Sequence, residues 1–392
     1  VVVYRPTDPG FFSGTVMVEW LNVTAGFDTP PSYGSGHTEI LRSGHVWVGV
    51  SAQFVGIEGS DRAIAPLHLK AVNPERYGSL EHPGDSFSYD IFSQAAQALR
   101  EPGNVDLLPG LTVERLIALG ESQSAGRLLT YINAVHPLYA PFDGYMVHSR
   151  GEGSPPLAQE PLVPIPTPKS VLIREDLDVP VMNFQTETDL LGLGAVTDRQ
   201  PDSERFRLWE VAGTAHGDYY SFVAGRQDTG EDPRFALVVE VFGIPGFIRC
   251  EKPMNAGPMA WVFNAALRSL DDWVREGRTP PMAERLAVDD AASAFVKDKL
   301  GNVAGGIRTP YVDAPAAVLS GEGNQGDSFC FLFGTTDLFD ATQMAQLYTD
   351  QAGYEAAVSA AADDAVEAGF LLPEDADRIR AAATLQWQAL TP

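Results

Sequence analysis

Two serines, Ser122 and Ser124, stand one residue apart in "LIALGESQSAGRLLTYI" (116–132), directly after a short apolar run. A serine hydroxyl attacks a carbonyl only when a base takes its proton, and that base needs an acid to orient it. Small residues two positions before and two after such a serine let a strand turn sharply into a helix. The turn then presents the hydroxyl on a strained backbone. Gly120-Glu121-Ser122-Gln123-Ser124 fits with Ser122 at the centre; Ser122-Gln123-Ser124-Ala125-Gly126 fits with Ser124. Ser122 is preferred because it lies at the mouth of a strand, whereas Ser124 falls in the first helical turn. The plain alternative is a loop in which Ser124 only caps a helix.

The remaining chemistry should come from the ends of later strands, in the order nucleophile, acid, base. "VMNFQTETD" reads as a buried strand ending in carboxylates, with Asp189 as the acid; Glu187 and Asp198 are the alternatives. "LWEVAGTAHGDYY" reads as a later strand with His216 on the loop beyond it, the expected base. His37, His45, His68, His82 and His136 lie in loops or at element edges and read as solvated or structural. His148 ends the strand "GYMVHS" and is expected to line the site as an orienter or specificity group. Oxyanion donors are expected from the backbone N–H of Gln123 and from the loop "NVTAGFD", with Asn22 adding a side-chain donor. Asn22-Val23-Thr24 also fits a glycosylation acceptor pattern, the weaker reading at an early strand end. Arg150 and Arg308 are candidates to meet a carboxylate or polar head of the substrate. A surface arginine paired with one of the 52 acidic residues is the bland alternative for each. Trp20, Phe54, Tyr89 and Tyr219 are candidate walls of an apolar acyl pocket, against ordinary core packing.

The elements that must position these groups alternate along the first 225 or so residues. "ERLIALG" reads as a buried strand, and the run from Ser124 as a helix burying Leu128, Leu129 and Ile132, with Arg127 and Asn133 toward water. "TVMVEWL", "HVWVGVSAQ", "GYMVHS", "VPVMNFQTE" and "RFRLWEVAG" read as further strands; "HTEILRSG" and "SFSYDIFSQAAQALRE" read as helices. This alternation predicts βαβ units and a mostly parallel sheet, with the site at its carboxyl edge. A Pro-rich insertion over 151–178 is too long for an ordinary connection and reads as a cover. After residue 225, "GPMAWVFNAALRSLDDWVREG" is a strong amphipathic helix and the Ala-rich tail predicts two more. The expected division is a catalytic core over 1–225 and a helical or irregular region over 226–392 packed on it, as one continuous domain.

Bulk properties narrow the function. The 392 residues carry a net charge of −25, which argues against nucleic acid and anionic membranes as partners. No apolar run is long enough to suggest a membrane span. Neither H-E-x-x-H nor paired histidine spacing occurs, and "GLG" at Gly192–Gly194 lacks the rest of a nucleotide-binding loop, so no cofactor or metal is expected. Cys250 and Cys330 suit either one disulfide or two buried thiols. The opening "VVVYRP" lacks Met and reads as a trimmed or mature start, leaving cytoplasm and export both open.

With these residues in hand, the chain resembles the α/β-hydrolase superfamily, and within it a largely bacterial group of alpha/beta hydrolase domain proteins. The resemblance is carried by "TVMVEWLNVTAG", "RYGSLEHPGDSFSYDIFSQA", "ALGESQSAGR", "TETD", "WEVAGTAHGDYY", "AALRSLDDWVREGRTPP" and "GNVAGGIRTPYVDAP". It implies an α/β-hydrolase fold and acyl-hydrolase machinery of Ser122, Asp189 and His216. One position departs from the usual pattern: Ser124 stands where a second glycine is common. The expected activity is cleavage of a small-molecule carboxylic ester. An acyltransferase or amidase on the same triad is the alternative, since the triad sets the acyl-enzyme and pocket shape chooses the acceptor. A non-catalytic ligand-binding relative is disfavoured, because both serine and histidine are kept.

Overall fold

The inner strands of the central sheet are mostly apolar and buried on both faces, as a covered parallel sheet requires. In the computed structural model, which describes every residue except Asp290, Ala292 and Pro392, seven strands assemble. They are β1 (Val2–Tyr4), β2 (Thr15–Trp20), β3 (Val46–Val50), β4 (Arg115–Glu121), β5 (Gly144–His148), β6 (Val181–Gln185) and β7 (Phe206–Glu210). Their order is β1-β3-β2-β4-β5-β6-β7, with β1 antiparallel to β3 and every other pair parallel. The fold is the α/β class expected, with β1 added at the edge.

Alternate residues of each strand point to opposite faces, and each face meets its own helical layer. Val16, Val18, Trp20, Leu116, Ala118 and Tyr145 pack with α2 (Ser88–Arg100) and α3 (Gln123–Thr130). Met17, Ile117, Leu119, Met146 and Met182 pack with α1 (Pro31–Arg42) and α4 (Met259–Glu276). The helix read from "GPMAWVFNAALRSLDDWVREG" thus covers the sheet itself. The last long helices, α5 (Gln351–Glu367) and α6 (Pro373–Leu390), share a separate apolar cluster with Trp261 of α4. Among the described residues no helix is long and apolar enough to cross a membrane.

Two details differ from the sequence reading. Helix α1 begins at Pro31 and not near His37. Its first free N–H groups, those of Ser32 and Tyr33, donate to the Glu19 carboxylate on β2 at 2.8 and 3.0 Å, so the cap comes from another element. Arg127 of α3 does not face water: it is 4% exposed, pairs with Asp85 at 2.9 Å and lies over the Tyr89 ring. The Pro-rich insertion lies along α2 and α3, held by Thr130 Oγ1 donating to Pro155 O at 2.6 Å and Tyr89 OH donating to Pro156 O at 3.2 Å. Cys250 and Cys330 form a disulfide across 80 residues of sequence.

Strand order reverses between β2 and β4: from β2 the chain moves outward to β3, and from β4 it moves the other way to β5. Such a reversal opens a crevice at the strands' carboxyl ends, where open α/β sheets bind ligands. Ser122 and the loop after β2 flank it.

Candidate active site

Beyond the last residue of β4 the backbone reverses at Ser122, whose φ of 59° and ψ of −120° lie where non-glycine residues are strained. Two hydrogen bonds hold the turn: Ser122 N–H donates to His148 O at 2.9 Å, and Gly126 N–H donates to Ser122 O at 3.1 Å. Gly120 is needed because a Cβ there would stand 2.8 Å from Ser124 O and 2.9 Å from Leu128 Cδ1. Ser124, the other candidate, is fully buried inside α3 and its hydroxyl has no partner among the described residues. Ser122 Oγ instead lies 2.8 Å from His216 Nε2.

His216 lies on the loop after β7. Its backbone N–H donates to Thr188 Oγ1 at 3.2 Å, and its Nδ1 lies 2.6 Å from Asp189 Oδ1. A carboxylate only accepts, so in the neutral ring the proton sits on Nδ1 and Nε2 is left as the acceptor for the serine hydroxyl. Asp189 Oδ2 accepts the N–H of Thr186 at 2.7 Å, which locks the carboxylate plane. Glu187 faces away from the imidazole. Its two oxygens accept the N–H groups of Gly213 and Gly321 at 2.6 and 2.7 Å, and burial pushes its carboxyl up to about 7. Asp198, the remaining alternative, is paired with Arg150. The structure therefore brings Ser122, His216 and Asp189 together and leaves both rival acids elsewhere.

Four expected contributors are otherwise engaged. The Asn22 side-chain amide donates to Glu121 O at 3.0 Å and its backbone N–H to Thr29 O at 2.9 Å, which removes it as an oxyanion donor. The neighbouring Thr24 N–H is taken by Asn22 Oδ1 at 2.8 Å. His148 is fully buried, stacked on Phe263 with ring centroids 4.1 Å apart, and burial with the nearby His216 pushes it down to about 3. A neutral, enclosed ring cannot line a substrate pocket; its backbone carbonyl serves the turn instead. Arg150 is 1% exposed and spent on Asp198. Arg308 clamps its own loop through Asp313 at 2.6 Å, Asp298 at 3.2 Å and the Val303 carbonyl at 2.7 Å. Among the proposed pocket walls, Trp20 and Tyr89 belong to the core, Phe54 is exposed and Tyr219 packs near the disulfide.

Glu121, which the sequence reading passed over, completes the picture. It is 5% exposed and its Oε1 stands 3.4 Å from His216 Nε2. Burial pushes its carboxyl up to about 7. For His216, burial pulls the imidazole down, but Glu121 and Asp189 outweigh it and carry it up to about 9. A charged residue closing the apolar run "RLIALG" was the signal available. Among the described residues no cluster of His, Cys, Asp or Glu is arranged to hold a metal ion.

The disulfide reaches this loop as well. Cys330 sits in the turn whose Leu332 carbonyl accepts the N–H of Gly217, the residue after His216, at 3.1 Å. Against known proteins, a family model described as alpha/beta hydrolase domain matches residues 1–381. No curated protein matches the chain.

Proposed function

The chain belongs to the alpha/beta hydrolase domain family and is a hydrolase by that membership; from this premise we propose that it cleaves carboxylic esters through an acyl-enzyme on Ser122. The observation that carries the reading is the relay of Ser122 Oγ to His216 Nε2 at 2.8 Å and His216 Nδ1 to Asp189 Oδ1 at 2.6 Å, seated on a strained turn.

In this mechanism Ser122 Oγ bonds to the ester carbonyl carbon as its proton passes to Nε2. The tetrahedral oxyanion is met by backbone N–H groups. Gln123, as the first residue of α3, has no intrahelical acceptor for its own. Among residues 22–24 of the loop after β2, with the N–H groups of Asn22 and Thr24 already committed, Val23 is the candidate second donor. Collapse breaks the carbon–oxygen bond, and the leaving alcohol takes the proton from Nε2. Water then repeats the sequence on the acyl-serine, giving the acid and free enzyme.

Reaction with a fluorophosphonate followed by peptide mapping tests the assignment. The adduct is expected on Ser122 alone, and His216→Ala should slow both labelling and ester hydrolysis by about 10³-fold or more. An adduct on Ser124, or a His216→Ala protein of near-normal rate, rejects it.

A further inference from the structure

The imidazole of His216 has an acidic neighbour on each edge. Asp189 lies at Nδ1, as the hydrolytic reading requires, whereas Glu121 lies at Nε2, the edge where the proton is exchanged. Glu121 arrives there for a local reason. It directly precedes the strained Ser122, it pairs in register with His148 on β5, and its carbonyl is tied to Asn22 Nδ2 at 3.0 Å. The same amide lies 3.4 Å from Glu121 Oε2, so the side chain is held at both oxygens, one by the amide and one by the imidazole. Both members are almost fully enclosed, so solvent does little to screen them.

We propose that Glu121 is a positioning residue acting on His216: its carboxylate holds the proton taken from Ser122 on Nε2 until the leaving alcohol removes it. This rests on the ester-hydrolase reading above. Until the leaving oxygen comes within reach, a protonated Nε2 without a second acceptor has only Ser122 Oγ before it, to which the proton can return. With Glu121 beside it, the imidazolium is stabilised on both edges. No atom is consumed in this role, because Glu121 neither bonds to substrate nor keeps the proton.

The arrangement has a consequence for pH. The groups acting on the imidazole are Asp189 from the loop after β6, Glu121 from β4 and His148 from β5; those acting on Glu121 are His216 and Asp189, with Glu19 of β2 coupled to it. The two carboxylates favour the imidazolium, while His148 is itself kept neutral by burial. A base must be neutral to act, and both carboxylates favour the charged ring, so its working form is lost on the acid side of a midpoint held above the ordinary imidazole range. Removing the Glu121 charge while keeping its shape should release that hold and shift the acid limb downward.

The test compares wild-type protein with Glu121→Gln, reading the rate of fluorophosphonate labelling at Ser122 across about pH 5 to 10, alongside the ¹⁵N titration of the His216 ring. The expected result is a labelling midpoint and a ring titration both lower by about one unit or more, a tenfold change in the proton equilibrium, with a several-fold lower plateau at high pH. Midpoints agreeing within about 0.3 unit in both measurements overturn the role of Glu121. Folded proteins that never label at Ser122 reject the ester-hydrolase reading instead, and the ring titration then decides the hold of Glu121 on His216 by itself. Should the Gln variant not fold, Glu121→Asp withdraws the carboxylate from Nε2 without deleting it. An intermediate midpoint then supports the proposal and an unchanged one overturns it.

Discussion

Glu187 and Asp189 are two residues apart on one loop, and what each accepts separates their roles. Asp189 takes the imidazole on one oxygen and a single backbone N–H on the other. Glu187 takes two backbone N–H groups, joining the loop that carries His216 to Gly321 far along the chain. Asp189→Asn should therefore cut ester hydrolysis by roughly 10³- to 10⁴-fold with little change in melting temperature, because an amide can donate to the ring and impose the wrong tautomer. Glu187→Gln should do the reverse. One of the two N–H groups loses its acceptor inside the protein, at about 1–3 kcal/mol, while the folded enzyme keeps most of its rate. Parallel melts and ester assays decide this, and a rate collapse confined to Glu187→Gln would make it the acid. That the side chains of Ser122, Asp189 and His216 meet in space was legible from chain order at successive strand ends. For Arg150 the ion-pair alternative fits, but as a buried pair and not a surface one; its partner, Asp198, is 48 residues away and nothing local shows that pairing.

Helices α1 and α3 show where local signals stop. The start of α1 was misread because its residues Gly34 and Gly36 are poor helix formers and its cap, Glu19, lies on β2. The glycines have a packing reason: a Cβ on Gly36 would stand 2.4 Å from Leu267 Cδ1 on α4, so the two helices approach closely only without it. Helix α3, by contrast, was readable because the turn before it has strict steric demands. Those demands yield a prediction for Gly120, which lets α3 fold back onto β4. In Gly120→Ala the added methyl meets the Ser124 carbonyl, and backbone must shift. The expected cost is about 1–3 kcal/mol in a thermal melt. Because the shift moves Ser122 relative to His216, labelling at Ser122 should also fall by about 10²-fold. A variant that melts and labels like the parent would overturn this steric account of the turn.

Across the molecule, an excess of buried acid makes stability a function of pH. Burial pushes the carboxyl of Glu19 up to about 8 and those of Glu121 and Glu187 up to about 7, from an ordinary value of 4.5. The folded chain keeps protons there that the unfolded chain releases near 4.5, so the stability they contribute is full below that value and is lost as pH rises through 7 to 8. His216 works in the same direction: its contribution is full below 6.5 and is lost as pH rises through about 9. Self-repulsion at a net charge of −25 adds to both. The melting temperature should therefore fall steadily as pH rises from about 6.5 to 8.5, above the range in which the neutral His148 adds stability with rising pH, as calorimetry can check; a flat or rising trend contradicts the buried protonation. What the sequence determined unaided was the βαβ alternation, the sharp turn at Ser122 and the placing of Asp189 and His216 just beyond successive strands. Those are matters of apolar periodicity and of small residues at fixed spacing, both local to a segment. The tertiary structure alone decided that Asn22, His148, Arg150 and Arg308 are spent on the protein itself, and that Glu121 faces His216. The reason is that each of these hydrogen bonds and ion pairs joins atoms from elements that meet only once the sheet has closed.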